Sequence, residues 1–169
     1  MAHKALDTYL NDHLGGAMLG SDLAEQIRKR SEGTPLGDLM ATIAPEIHED
    51  RETLIDLMEQ LGTSKNPVKQ VTAWMAEKAS RVKFGGALSG EPDFGLFMAL
   101  ETLTLGVEGK LAMWKALKQI ADEHPPLAAV NLDDLIARAE SQHDALENER
   151  LATSGRVLSP TATPSAGTR

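Results

Sequence analysis

Hydrophobic residues recur along most of this chain at intervals of three and four positions, the period of an α-helix that buries one face. The clearest stretch follows Thr34 and Pro35, an N-cap residue with proline at the first helical position, and ends at Gly62. Its inward positions alternate steps of four and three: Leu36, Met40, Ile43, Ile47, Asp50, Leu54, Leu57 and Leu61. This pattern predicts a helix with an almost fully buried seam, including Asp50.

Four further helices are predicted from the same periodicity and from helix start and stop signals. The first spans about residues 3–31, and a short third one runs from Pro67 to Gly85. The fourth opens after Pro92 and stops before Pro125, and the fifth begins at Asn131 with acidic residues in its first turn. The sequence therefore predicts five helices, of which the third is the shortest.

Composition supports an all-α fold with a terminal tail. Aromatic residues make up 4% of the chain, and runs of β-branched residues are missing. From about Thr153 the sequence becomes rich in Ser, Thr, Pro and Gly without apolar periodicity. We therefore expect one helical domain at residues 1–152 and a disordered tail at residues 153–169.

The net charge of −8 argues against a nucleic-acid-binding protein, because phosphate contacts need a positive surface. One basic stretch, residues 65–83, is interpreted as a solvated helix face. The absence of cysteine excludes disulfides and thiolate zinc sites. No segment is apolar enough to span a bilayer, and no signal core is present, so we expect a cytoplasmic protein without membrane contact.

Three polar residues interrupt the apolar stripes of different long helices near their middles: His13, Asp50 and His143. At one level of a bundle they would form a polar layer, and at least one histidine is expected to hydrogen-bond Asp50. Two interpretations stay open. Such a layer fixes helix register, or together with Glu46 and Glu140 it binds a single iron, zinc or manganese ion.

Four long helices, with a shorter one between the second and the fourth, resemble the ferritin-like superfamily and its small bacterial members. The resemblance covers residues 3–152 and rests on helix number, order and length. It implies an antiparallel four-helix bundle in which a long crossover joins two helical hairpins. The additional, shorter helix, third along the chain, would lie in that crossover.

A ferritin-type di-iron site would take one Glu from each of two helices and a Glu-x-x-His motif from each of the others. The last helix has one such motif, Glu140 with His143. On the second helix Pro45 stands where the glutamate before His48 should be. A complete di-iron site is therefore not expected.

The function expected from these observations is non-catalytic, through self-association or association with another protein. A homodimer is expected because the fourth helix carries a second apolar face opposite the first, made by Met98, Leu105, Gly109, Met113, Ala116 and Ile120. The alternative is a metal-binding redox or metal-handling protein that uses the mid-bundle His, Asp and Glu residues. We expect no catalytic residues and, under the first hypothesis, no cofactor.

Overall fold

The structure, a computed structural model, describes residues 2–63 and 92–159. Its long helices are α1 (Ala2–Arg30), α2 (Pro35–Gln60), α3 (Pro92–Gln119) and α5 (Leu132–Val157), and α4 is a single turn (Pro125–Ala128) that follows a 3-10 turn, Ala121–Glu123. No strand occurs among these residues. The all-α prediction is confirmed for the described ranges.

Some predictions cannot be compared with the structure, and one is contradicted by it. The third predicted helix and the basic stretch at residues 65–83 lie outside them. The predicted start of the tail at Thr153 is wrong, because α5 continues to Val157 and Thr153 is buried. Thr153 lies seven positions after Leu146, so it continues the buried face although its surroundings are rich in small polar residues.

The residues predicted to start and stop α2 and to start α5 form the expected capping interactions and turn. Thr34 caps α2, since its side-chain oxygen accepts a hydrogen bond from the backbone N–H of Gly37 at 3.2 Å. Gly62 follows α2 with φ of +69°, a left-handed conformation that glycine adopts without steric cost. Asn131 caps α5 by accepting a hydrogen bond from the backbone N–H of Asp134.

Gly37→Ala is expected to destabilise the domain by about 1–3 kcal/mol, because a Cβ at this position collides with backbone. It would lie 2.8 Å from the carbonyl carbon of Ser31, in the turn between α1 and α2. Gly155→Ala in α5 is the matched control, since nothing lies within 4 Å of its Cβ. Chemical denaturation should show a loss for the first variant and none for the second. Equal stabilities would contradict this account of the turn.

The buried apolar side chains form two separate clusters. The first apolar cluster contains Leu23, Ala24, Ile27, Leu36, Met40, Ile43, Ala44, Ile47, Ala99, Leu100, Leu103, Val107 and Leu146. The second apolar cluster contains Leu10, Leu14, Leu54, Leu57, Met58, Leu111, Met113, Trp114, Leu117, Leu127, Leu132, Leu135 and Ala139. Each of the four long helices contributes to both clusters, so each spans both halves of the core.

The order in which each helix enters the clusters gives its direction. α1 and α5 run from the second cluster to the first, whereas α2 and α3 run from the first to the second. The main packing contacts join α1 with α2, α1 with α3, and α3 with α5. All three of these pairs are antiparallel, while α2 and α3 are parallel.

The seam of α2 is buried as predicted. Leu54 and Leu57 are 1% exposed and Asp50 is 2% exposed, while Leu61 at the end is partly buried. A carboxyl group at this depth needs compensating partners. None of the helices in the described ranges is long and apolar enough to cross a membrane.

Candidate functional site

Asp50 lies between the two apolar clusters, one turn after Ile47 and one turn before Leu54 on the seam of α2. Both of its carboxylate oxygens accept hydrogen bonds from cations. Lys110 of α3 donates to Oδ2, and Arg138 of α5 donates to Oδ1. Asp50 therefore links α2 to α3 and to α5 near the middle of these helices.

The pairing extends into a network that we call the waist cluster: Glu46, Glu49, Asp50, Lys110, Arg138 and Gln142. Lys110 also donates to the side-chain oxygen of Gln142, and the Gln142 amide donates to Glu46 at 2.9 Å. Arg138 donates to Glu49 at 3.0 Å. The cluster holds three carboxylates and two cations, so its formal charges nearly cancel.

The two cations of the waist cluster have different surroundings. The side chain of Lys110 is 14% exposed and that of Arg138 is 25% exposed. Burial lowers the pKa of Lys110, while the negative charge of Asp50 opposes that shift. Lys110 and Asp50 thus pair in a place where either charge alone would be costly.

Of the predicted polar layer, Asp50 lies at the expected level, but its partners are Lys110 and Arg138 rather than the predicted histidines. The structure describes both His13 and His143, and neither hydrogen-bonds Asp50. His13 lies half-buried on α1 with its ring against Tyr9, at 4.6 Å between ring centroids.

His143 does not face the core, because the preceding residue, Gln142, holds the buried position. The buried face of α5 passes through Leu132, Leu135, Ala139, Gln142 and Leu146, in steps of three and four. Gln142 therefore holds the inward position, and His143 lies about 100° further round the helix. Its ring nitrogens are 3.6 Å from carboxylate oxygens of Glu108 and Asp144, near the surface.

The predicted metal ligands are not brought together. Glu140 forms an exposed ion pair with Lys115 at 2.8 Å, and Glu46 belongs to the waist cluster. No group of three or more His, Asp or Glu residues in the described ranges is arranged to hold a metal ion. Of the five predicted residues, only Glu46 and Asp50 share a network.

A cavity of about 250 Å³ lies beside the waist cluster, bounded by α1, α2 and α3. Its walls include His13, Leu103 and Met113, and Asp50 and Lys110 also line it. Trp114 lines it too, is 0% exposed, and finds no hydrogen-bond acceptor for its Nε1–H among the described residues. This cavity could not be predicted from the sequence, because a gap between helices depends on the spacing of the helices and not on the periodicity of their residues.

His13 should make the domain less stable in acid. Burial lowers its pKa, while Asp12 opposes the shift. With the folded pKa below the unfolded value, the unfolded chain binds more protons, so stability falls as pH drops below about 6.5. We expect His13→Gln to lose less stability than the parent between pH 7.5 and 5.5 in urea titrations. His48→Gln, at an exposed histidine of α2, is the control and should behave like the parent.

Comparison with known proteins gives no identification. None of the protein-family models, curated proteins or solved structures compared with this chain matches it.

Proposed function

We propose that this chain is a ferritin-like four-helix bundle that works without a metal centre and acts by association. The helix directions support the bundle: α1 and α2 form one antiparallel pair, α3 and α5 form another, and α2 runs parallel to α3. A parallel second and third long helix requires a long crossover between them, as in the ferritin-like architecture. A cytoplasmic location and the absence of nucleic-acid partners stay predictions from composition.

The observation that carries this proposal is the occupation of both Asp50 oxygens by side-chain cations. In bundles that bind metals, inward carboxylates hold the metal ions at mid-length. Here the ammonium of Lys110 and the guanidinium of Arg138 neutralise the carboxylates at that level. Neither cation has a lone pair to offer a metal, and a metal ion at Asp50 would meet the positive charges of both. The residues present do not fit a metal centre.

Metal titration tests this part of the proposal. Protein purified without chelator or affinity tag should contain no stoichiometric iron, zinc or manganese, and its melting temperature should not rise when these metals are added. Asp50→Asn serves as the control for any effect seen. A metal-dependent rise in melting temperature that Asp50→Asn removes would overturn the proposal in favour of the metal-binding alternative.

We propose a second copy of the chain as the associating partner, on the second apolar face of α3. Part of that face is covered within the monomer, since Met113 is buried and Gly109 lines the cavity beside α1. Leu105 is 50% exposed on the same face, which leaves apolar surface available for contact. A homodimer through α3 would cover it.

Light scattering across the micromolar range tests the dimer. The parent should have twice the monomer mass, and Leu105→Lys should shift it towards the monomer. Leu151→Lys is a matched control, because Leu151 is 52% exposed on α5. A monomeric parent, or equal effects of the two substitutions, would contradict a dimer through α3.

A further inference from the structure

We propose that the cavity between α1, α2 and α3 binds a neutral, mainly apolar small molecule that carries one hydrogen-bond acceptor, such as a carbonyl oxygen. This inference requires neither association nor the lack of a metal, but the cavity shares Leu105, Gly109 and Met113 with the face of α3 proposed for the dimer, so a dimer through that face would border the cavity.

The walls of the cavity favour an apolar ligand. Aliphatic and thioether side chains of α2 and α3 line much of the cavity: Ile47, Leu54, Leu103, Val107 and Met113. Burial of an apolar molecule against such a surface is favourable by about 25 cal/mol for each Å² removed from water. A site with few polar groups in an apolar wall is typical of small-molecule pockets.

Glycines keep part of the cavity open. Gly20 of α1 and Gly106 and Gly109 of α3 all line it, and a Cβ built at any of them meets nothing within 4 Å. Each glycine within a helix costs up to about 1 kcal/mol relative to alanine. Side chains at these three positions would therefore reduce the cavity without meeting other atoms at their Cβ.

Lys110 of α3 gives the cavity its polar specificity. It lines the cavity, and two of the three N–H groups of its ammonium donate to Asp50 and Gln142. The third N–H has no acceptor among the described residues. A buried donor without an acceptor is costly, and a ligand acceptor would remove that cost.

The charges around the cavity favour a neutral acceptor over a carboxylate. Asp12 and Asp50 both line the cavity, so an anion would meet two carboxylates there. The charge of Lys110 is already paired with Asp50, and Arg51 forms an ion pair with Glu52. A carbonyl oxygen accepts a hydrogen bond from the third N–H of Lys110 without adding a negative charge.

The volume sets the size of the ligand. A dry cavity of about 150 Å³ in another protein holds benzene, so this larger one has room for roughly 10 to 13 non-hydrogen atoms. 2-Acetylnaphthalene is of this size and is neutral, with a single carbonyl acceptor. 2-Ethylnaphthalene has nearly the same shape without the acceptor, and 2-naphthoate adds a negative charge.

Binding of these three probes tests the proposal. Since the chain has two tryptophans, Trp74→Phe leaves Trp114 as the only one, and its fluorescence reports occupation of the cavity. We expect 2-acetylnaphthalene to quench Trp114 and to bind about tenfold more tightly than either analogue. Equal affinities for the ketone and the ethyl analogue would overturn the assigned acceptor, and no binding of any probe would overturn the site.

Two substitutions locate the binding. Gly109→Leu places a side chain in the cavity and should abolish binding, whereas Gly155→Leu, at an unobstructed glycine of α5 that does not line the cavity, should leave binding unchanged. Lys110→Met, followed by calorimetry, should remove the preference for the ketone. Unchanged binding by a folded Gly109→Leu variant would overturn the assignment even if Lys110→Met fails to fold.

Discussion

Asp50→Asn is expected to lower the free energy of unfolding by about 3–5 kcal/mol, the cost of leaving a buried charge without its partner. The substitution removes the negative charge that faces Lys110 and Arg138 inside the domain. Asp50→Leu should cost more, because asparagine keeps an oxygen that accepts one hydrogen bond and leucine keeps none. Urea denaturation of the parent and both variants measures these differences.

Two controls separate this buried interaction from an ordinary surface ion pair. Glu49 pairs with Arg138, but its side chain is 67% exposed, so Glu49→Gln should cost less than about 1 kcal/mol. Combining Asp50→Leu with Lys110→Met should cost less than the sum of the two single changes, since the double variant leaves no unpaired ammonium. Additive costs, or a loss at Glu49 equal to that at Asp50, would contradict the account of the waist cluster.

Leu54→Ala should cost about 2–5 kcal/mol, as expected for a leucine truncated inside a packed core. Leu54 is 1% exposed in the second apolar cluster, and it also lines the cavity, so its removal enlarges a space that already exists. Thermal and urea denaturation would measure the loss. Leu151→Ala, at an exposed position of α5, should change stability by less than about 0.5 kcal/mol. A cost below 1 kcal/mol at Leu54 would mean that the seam is not packed as described.

The sequence was sufficient for the four long helices of the described ranges and for the level of Asp50, because both depend on local periodicity. Steps of three and four residues placed Asp50 on the buried seam, and cap residues gave the ends of α2 and the start of α5. The same rule misplaced the polar residue of α5. Apolar residues from Leu132 to Leu146 predicted an inward position for His143, whereas the buried face passes through Gln142.

The partners of Asp50 could not be predicted in this way. Lys110 and Arg138 lie beside the apolar stripes of α3 and α5, where long basic side chains usually extend into water. Whether such a side chain turns inward depends on the distance to a carboxylate on another helix, which periodicity does not contain. Histidines at marginal positions therefore looked like better partners than the cations that bind Asp50 in the structure.

Dividing the apolar core into two clusters has a consequence for motion. Proteins open locally in cooperative units, and the free energy of each opening follows the contacts that it breaks. One end of the domain can lose its packing while the other end keeps its own cluster, provided that the polar contacts between them hold. Backbone amides of the two ends should then exchange hydrogen for deuterium at different rates in the parent. Removing the hydrogen bonds of Asp50 would speed amide exchange at both ends of the domain, because these bonds connect the helices between the two clusters.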